Sequence, residues 1–137
     1  MCKRRHNKGV TLTELMFVVA VAALITMVAI PTYDSVVKRT KRTEAHGALV
    51  DLANRMEKHF YSANSYVGAS VATLMGSTTT ESGYYQLQIS AASATAYTLQ
   101  AQPTGNFSDS ECQTLTLDQA GNKGVTGGAT KAASECW

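Results

Sequence analysis

The chain has 137 residues, enough for one small domain, and is 45% hydrophobic and 16% charged. Four of its 12 lysines and arginines precede Gly9 and all 10 acids follow it, so the formal charge of +2 conceals a net −2 beyond Gly9. The basic balance therefore belongs to a removable targeting segment and is no argument for a nucleic-acid partner.

Met1–Gly9 reads MCKRRHNKG, a basic leader without an acid. Val10–Ile30 follows as an apolar run whose single ionisable residue is Glu14. As a helix this run is about 31 Å long, enough to cross the hydrocarbon core of a bilayer. Ala20-Val21-Ala22 offers small residues for an ordinary secretory cleavage, but a cut there would fall inside the run and leave a new apolar terminus. A plain signal-anchor helix, its basic side held in the cytoplasm, is the other reading.

Pro31 removes one helical hydrogen bond and crowds the preceding turn, which predicts a kink near Ala29–Tyr33. Beyond it the pattern stays helical as far as Tyr61. Ala45, Ala48, Leu49, Leu52, Met56 and Phe60 recur at three- and four-residue steps and form one apolar stripe, read as core rather than as a ligand box. Arg39, Arg42, Asp51, Arg55 and Lys58 largely take the other faces. Lys38, Arg39, Lys41 and Arg42 make a basic cluster. Glu44, Asp51 and Glu57 interleave with the cations here, so a solvated face is favoured over contact with an acidic neighbour or DNA.

Ser62–Gly83 is a turn-rich connection in which Val71–Met75 reads as a short helical or extended piece. The period then changes from helical to alternating. Tyr84–Ser90, Ala96–Ala101 and Cys112–Asp118 read as half-buried strands, and Lys123–Thr126 as a short fourth. Ser90–Thr95 suits a hairpin connection, and Pro103-Thr104-Gly105-Asn106 and Ala120-Gly121-Asn122 are turns. The Gly- and Ala-rich tail to Trp137 has weak local propensity and needs something to hold it. Cys2 lies in the leader, which leaves Cys112 and Cys136. In an exported domain this pair suggests one disulfide, and the alternative is two free thiols. A bridge would close a loop of about 24 residues, contribute roughly 3 kcal/mol, and fix Trp137 over a sheet edge or the core.

Signals for chemistry are sparse. His46 and His59 are close to opposite in phase on one predicted helix, and His6 lies in the leader. Asp109, Glu111 and Asp118 lack Ca²⁺-loop spacing, and the two cysteines lack zinc spacing. No nucleophile–base pattern or phosphate-binding loop stands out, so neither an enzyme nor a cofactor is expected. Asn106-Phe107-Ser108 matches a glycosylation acceptor by chance.

Lys8-Gly9-Val10-Thr11-Leu12-Thr13-Glu14-Leu15, the apolar run and Ile30-Pro31-Thr32-Tyr33 resemble the leader and first helix of type IV pilins. Arg42-Thr43-Glu44-Ala45, Ala96-Tyr97-Thr98-Leu99, Cys112–Asp118 with Gly121, and the terminal Cys136-Trp137 follow in order and are most similar to PilE-like minor pilins. The resemblance implies an α+β pilin fold, with a long kinked N-terminal helix on an antiparallel sheet of about four strands. It implies a leader over 1–9, a transmembrane and filament-core helix over 10–31, and a head over 32–137 with a disulfide-bounded loop. A prepilin peptidase would cut between Gly9 and Val10, and the new amine of Val10 would be methylated. Glu14 would dock against the next subunit, Pro31 would kink the helix, and Cys112–Cys136 would enclose the exposed variable region. The long helix would run to about Arg55. Family members usually carry Phe at position 10 and an apolar residue at position 13, where this chain has Val10 and Thr13. The implied partners are other pilin subunits, the peptidase and the inner-membrane assembly machinery. The implied location is the inner membrane, then the extracellular pilus used for adhesion, twitching or DNA uptake. A pilus-tip module binding DNA or a surface and a secretion pseudopilin are the alternatives. The cysteine pair disfavours the pseudopilin.

Overall fold

The computed structural model describes residues 9–105 and 107–137, without the side chains of residues 28–32. The elements in chain order are α1 (Leu12–Ala63), α2 (Val71–Met75), β1 (Tyr85–Ala92), β2 (Tyr97–Pro103), β3 (Thr114–Asp118), β4 (Lys123–Thr126) and α3 (Ala133–Cys136). The chain divides into two compact units, one ending at Val37 and the other comprising Lys38–Trp137.

In the first unit α1 is apolar on every face from Leu15 to Met27, beyond its first-turn Glu14. Leu12, Phe17 and Met27 are 77%, 72% and 75% exposed, and Val18, Val19, Leu24 and Ile25 are exposed as well. Every side chain from Leu12 to Met27 is exposed. Backbone hydrogen bonds are satisfied within the helix, while its apolar side chains await other partners. Among the described residues no helix is long and apolar enough to cross a membrane. The apolar run expected to do so ends with Val28–Ile30, whose side chains are not described. Helical backbone continues through Pro31. The expected kink at Ala29–Tyr33 falls largely on residues outside the described side chains.

In the second unit the predicted stripe becomes the core. Ala45, Leu49, Leu52 and Met56 are fully buried, and Ala48 and Phe60 pack against them. α1 extends to Ala63, close to the Tyr61 where the helical pattern ended and two turns past the end near Arg55 that the resemblance implied. Phe60 accounts for the extra length, since the last turns still bury an apolar face against Tyr66, with ring centroids 4.7 Å apart. Asn64 ends the helix with φ 52°, its N–H bonding to the Phe60 carbonyl at 2.7 Å.

The sheet is an antiparallel meander in the order β1-β2-β3-β4. Its register pairs Leu87 with Ala101, Leu99 with Leu117, and Leu115 with Val125. Tyr85, Leu87, Tyr97, Leu99, Ala101, Leu115 and Leu117 enter the core by strict alternation. β4 lies where the sequence put it, while the other strands shift at their ends. β1 and β2 reach Ala92 and Pro103, with a bulge between Ile89 and Ala91. β3 starts at Thr114 rather than Cys112, because Gln113 takes φ 47°. α2 begins with Ser70 accepting from the Thr73 N–H and ends at Gly76 in the left-handed region. The tail contains a helical turn, α3, that weak propensity did not predict.

Candidate functional site

Three places carry the polar chemistry. The first is the start of α1. Thr11 precedes the helix and Glu14 lies in its first turn. The Thr11 N–H donates to Glu14 Oε2 at 3.0 Å, and the Glu14 N–H donates to Thr11 Oγ1 at 3.3 Å. This is a reciprocal capping box. The Thr11 hydroxyl adds a further bond to Glu14 Oε2 at 2.8 Å. The T-x-x-E spacing before an apolar run announces such a box in the sequence, and that signal was missed. Gly9 and Val10 are exposed and lie outside the helix just ahead of it.

The second place is an ionic cluster under the disulfide. Arg42 forks onto Asp109, with Nε to Oδ2 at 2.5 Å and Nη2 to Oδ1 at 2.6 Å, and reaches Glu111 at 2.7 Å. Tyr85 donates its hydroxyl to the same Asp109 at 3.1 Å. Arg42 and Asp109 are buried, while Glu111 is partly exposed and also meets Lys131 at 3.2 Å. Burial alone would raise the Asp109 carboxyl, but the Arg42 hydrogen bonds and charge hold it below the ordinary aspartate value. Burial pushes the Tyr85 hydroxyl well up. This corrects the reading of Lys38, Arg39, Lys41 and Arg42 as one solvated face. Arg42 is consumed inside the head. The Lys41 ammonium sits 3.6 Å from the centre of the Tyr84 ring and 4.4 Å from that of Phe107. Arg39 is exposed and Lys38 partly so. Neighbouring polar side chains also tie the loops to α1. Glu44 accepts from the backbone N–H and the hydroxyl of Ser82. Glu57 accepts from Tyr66 at 3.0 Å and from Tyr97 at 3.2 Å.

The third place is the tail. Cys112 and Cys136 form the disulfide, and both are buried. Trp137 stacks on His46 with ring centroids 4.5 Å apart and planes within 9°. Its indole N–H donates to the Gly124 carbonyl at 2.9 Å. The last residue thus covers the outer strand β4 and the helix together. The Lys123 ammonium lies 5.2 Å from the same ring. His46 is held below the ordinary histidine value, first by burial and further by the charges of Lys123 and Arg42; a backbone hydrogen bond to Cys136 opposes this. The N–H groups of Thr130 and Lys131 both reach the Glu111 carbonyl, which lays the glycine-rich segment back on the loop before Cys112.

His46 therefore packs against an indole, and His59 lies 3.5 Å from the Val67 carbonyl. Asp109 and Glu111 face Arg42, and Asp118 accepts from Ala120 and Asn122 in the β3–β4 turn. Among the described residues no group of three acids, histidines or cysteines gathers as a metal site. Asn106 of the chance acceptor lies outside the described residues.

A long N-terminal helix, a four-stranded antiparallel sheet and a disulfide-closed tail define a type IV pilin. The family "Type IV minor pilin ComP, DNA uptake sequence receptor" matches residues 31–116, and the prokaryotic N-terminal methylation motif matches residues 4–30. The chain belongs to this ComP family and is a minor pilin of a type IV pilus. Its fold is similar to that in the crystal structure of the non-core minor pilin PilV of Neisseria meningitidis. The TM-score is 0.57 at 22% identity, over 71% of this chain and 93% of that one. No curated protein matches the chain.

Proposed function

We propose that the chain is made as a precursor that a prepilin peptidase cuts between Gly9 and Val10, with methylation of the new Val10 amine. The apolar half of α1 then holds it in the inner membrane until it packs into the pilus, where Glu14 meets the Val10 ammonium of a neighbouring subunit. Its role is structural and not catalytic. The observation that carries this reading is α1 from Leu12 to Met27, apolar and exposed on all sides, with Glu14 as the one acid of that stretch. A carboxylate in such surroundings is costly unless paired, and cleavage after Gly9 creates a positive charge suited to pair with it. Apolar packing supplies adhesion, and the ion pair sets the axial step. Mass spectrometry of the chain from sheared fibres tests this. The expected mass is that of residues 10–137 plus one methyl group. A chain polymerised with its leader intact would overturn the reading.

A second reading concerns the head, and the family description as a DNA uptake sequence receptor favours it. In this reading the head binds duplex DNA. Arg39 and Lys38 on α1, and Lys123 and Lys131 in the disulfide-closed segment, are the cations it would use; Arg42 is excluded by its burial. With a net charge of −2 beyond Gly9, attraction is local and rests on few phosphate contacts. Titration of a truncated chain beginning at Thr32 against duplex DNA at two salt concentrations tests it. Binding should weaken with salt, and Lys123→Gln should lower the logarithmic salt slope by about one if Lys123 contacts a phosphate. Binding that ignores salt, or no binding, would remove this reading.

A further inference from the structure

We propose that Arg42 is the positioning residue for the disulfide. Through Asp109 and Glu111 it holds Cys112 and Cys136 together while both are still thiols. An external disulfide then only locks a tail that is already closed.

The contacts that place the first cysteine involve no sulfur. Arg42, on α1, forks onto Asp109. Asp109 in turn frames the loop that carries Cys112. Its Oδ1 accepts the Cys112 N–H at 3.3 Å, and its carbonyl accepts the Gln113 N–H at 2.8 Å. The Tyr85 hydroxyl on Oδ2 adds a tie to β1. The Asp109 side chain is fully buried and that of Arg42 is 8% exposed. Moving this loop off α1 would leave a buried charge without its partner.

The second cysteine is reached through Glu111. Arg42 Nη2 donates to Glu111 Oε2 at 2.7 Å, and the Lys131 ammonium lies 3.2 Å from Oε1. The Glu111 carbonyl accepts the N–H groups of Thr130 and Lys131 at 3.0 and 2.9 Å. These contacts land the tail just ahead of α3, whose single turn ends at Cys136. Past the cysteine, Trp137 is fixed independently on His46 and on the Gly124 carbonyl. Cys136 is therefore bracketed on both sides. Without these anchors the glycine-rich approach to Thr130 would leave its end to wander, and closure would cost the entropy of a free loop.

Closure consumes one external disulfide, such as oxidised glutathione. One cysteine thiolate attacks it and expels a glutathione thiolate, and the other cysteine thiolate attacks the mixed disulfide and expels the second. Two electrons pass from the cysteines to the glutathione disulfide, and the two thiol protons end on the released glutathione. The first attack depends on access. The second depends on the effective concentration of one cysteine at the other, and Arg42 acts there.

The test uses the full-length chain in detergent with Cys2→Ser, which leaves Cys112 and Cys136 as its thiols. Equilibration in glutathione buffers gives the effective concentration. Arg42→Gln should lower it about ten- to a hundredfold, the effect of lost hydrogen bonds between charged groups. Arg42→Leu with Asp109→Leu removes the buried charges and the positioning together, leaving apolar side chains in their place. This double variant should stay folded and still show the drop. An effective concentration within about twofold of the wild type in the folded double variant would mean that Arg42 acts through stability alone, and overturns the proposal. Should the reduced double variant unfold, amide exchange at Thr130 and Lys131 decides, measured in the Cys2→Ser, Cys136→Ser chain. With Arg42 in place both amides should stay protected without the bridge, and exchange at the rate of an unfolded chain overturns the proposal.

Discussion

The two halves of α1 share one secondary structure and differ in what covers them. From Lys38 to Ala63 the helix buries one face under its own sheet, with Ala45, Leu49, Leu52 and Met56 fully buried. From Leu12 to Met27 it buries none, although this half is the more apolar. Hydrophobicity alone therefore does not decide burial within a chain. The stripe in the second half is matched by the alternating faces of β1, β2 and β3. An apolar helix without an internal partner is a surface for other molecules. The polar groups follow the same division. In the head they are paired with other elements, as Arg42 is with Asp109 and Glu57 with Tyr66 and Tyr97. In the first half Glu14 pairs locally, with Thr11.

Breaking the head should show the largest effect on the isolated chain. Arg42→Leu leaves Asp109 buried beside Tyr85 without its cation. It should cost about 3–5 kcal/mol of stability by chemical unfolding, and Asp109→Leu added to it should recover much of the loss. Leu52→Ala should cost about 2–5 kcal/mol. Phe17→Ala, in the other half, should change the same measurement by less than about 0.5 kcal/mol while reducing fibre incorporation. Equal losses from Leu52→Ala and Phe17→Ala would erase the contrast between the halves. The smallest effect belongs to His46. Its folded value lies below the unfolded value of about 6.5, so the unfolded chain binds the proton more readily. Its contribution is full above that value and declines as pH falls beneath it. Trp137 is the only tryptophan, so its fluorescence during unfolding at successive pH values reads this directly, and His46→Phe should flatten the dependence.

Much of this was legible in advance because it is periodic. The 3.6-residue stripe gave the buried face of α1, and period-two alternation gave the strands. Lys123–Thr126 was bounded by turn residues and emerged as β4. The two late cysteines gave the bridge. What stayed hidden is pairing between distant residues. Arg42 and Asp109 are 67 positions apart; Arg42 read as part of a solvated face and Asp109 only as an acid without Ca²⁺-loop spacing. Phe60, already on the predicted stripe, meets Tyr66 of the following loop, a contact that the stripe alone did not show. His46 finds Trp137 only because the disulfide returns the tail to α1. The Thr11–Glu14 box is different, being local and written in the spacing.

The account depends most on Glu14 joining one subunit to the next. Recovery of full-length Glu14→Ala in sheared fibres, compared with its amount in the membrane, measures this directly. The account predicts wild-type amounts in the membrane, a processed N-terminus and no subunit in the fibres. Glu14→Ala subunits recovered from fibres in wild-type proportion would contradict it.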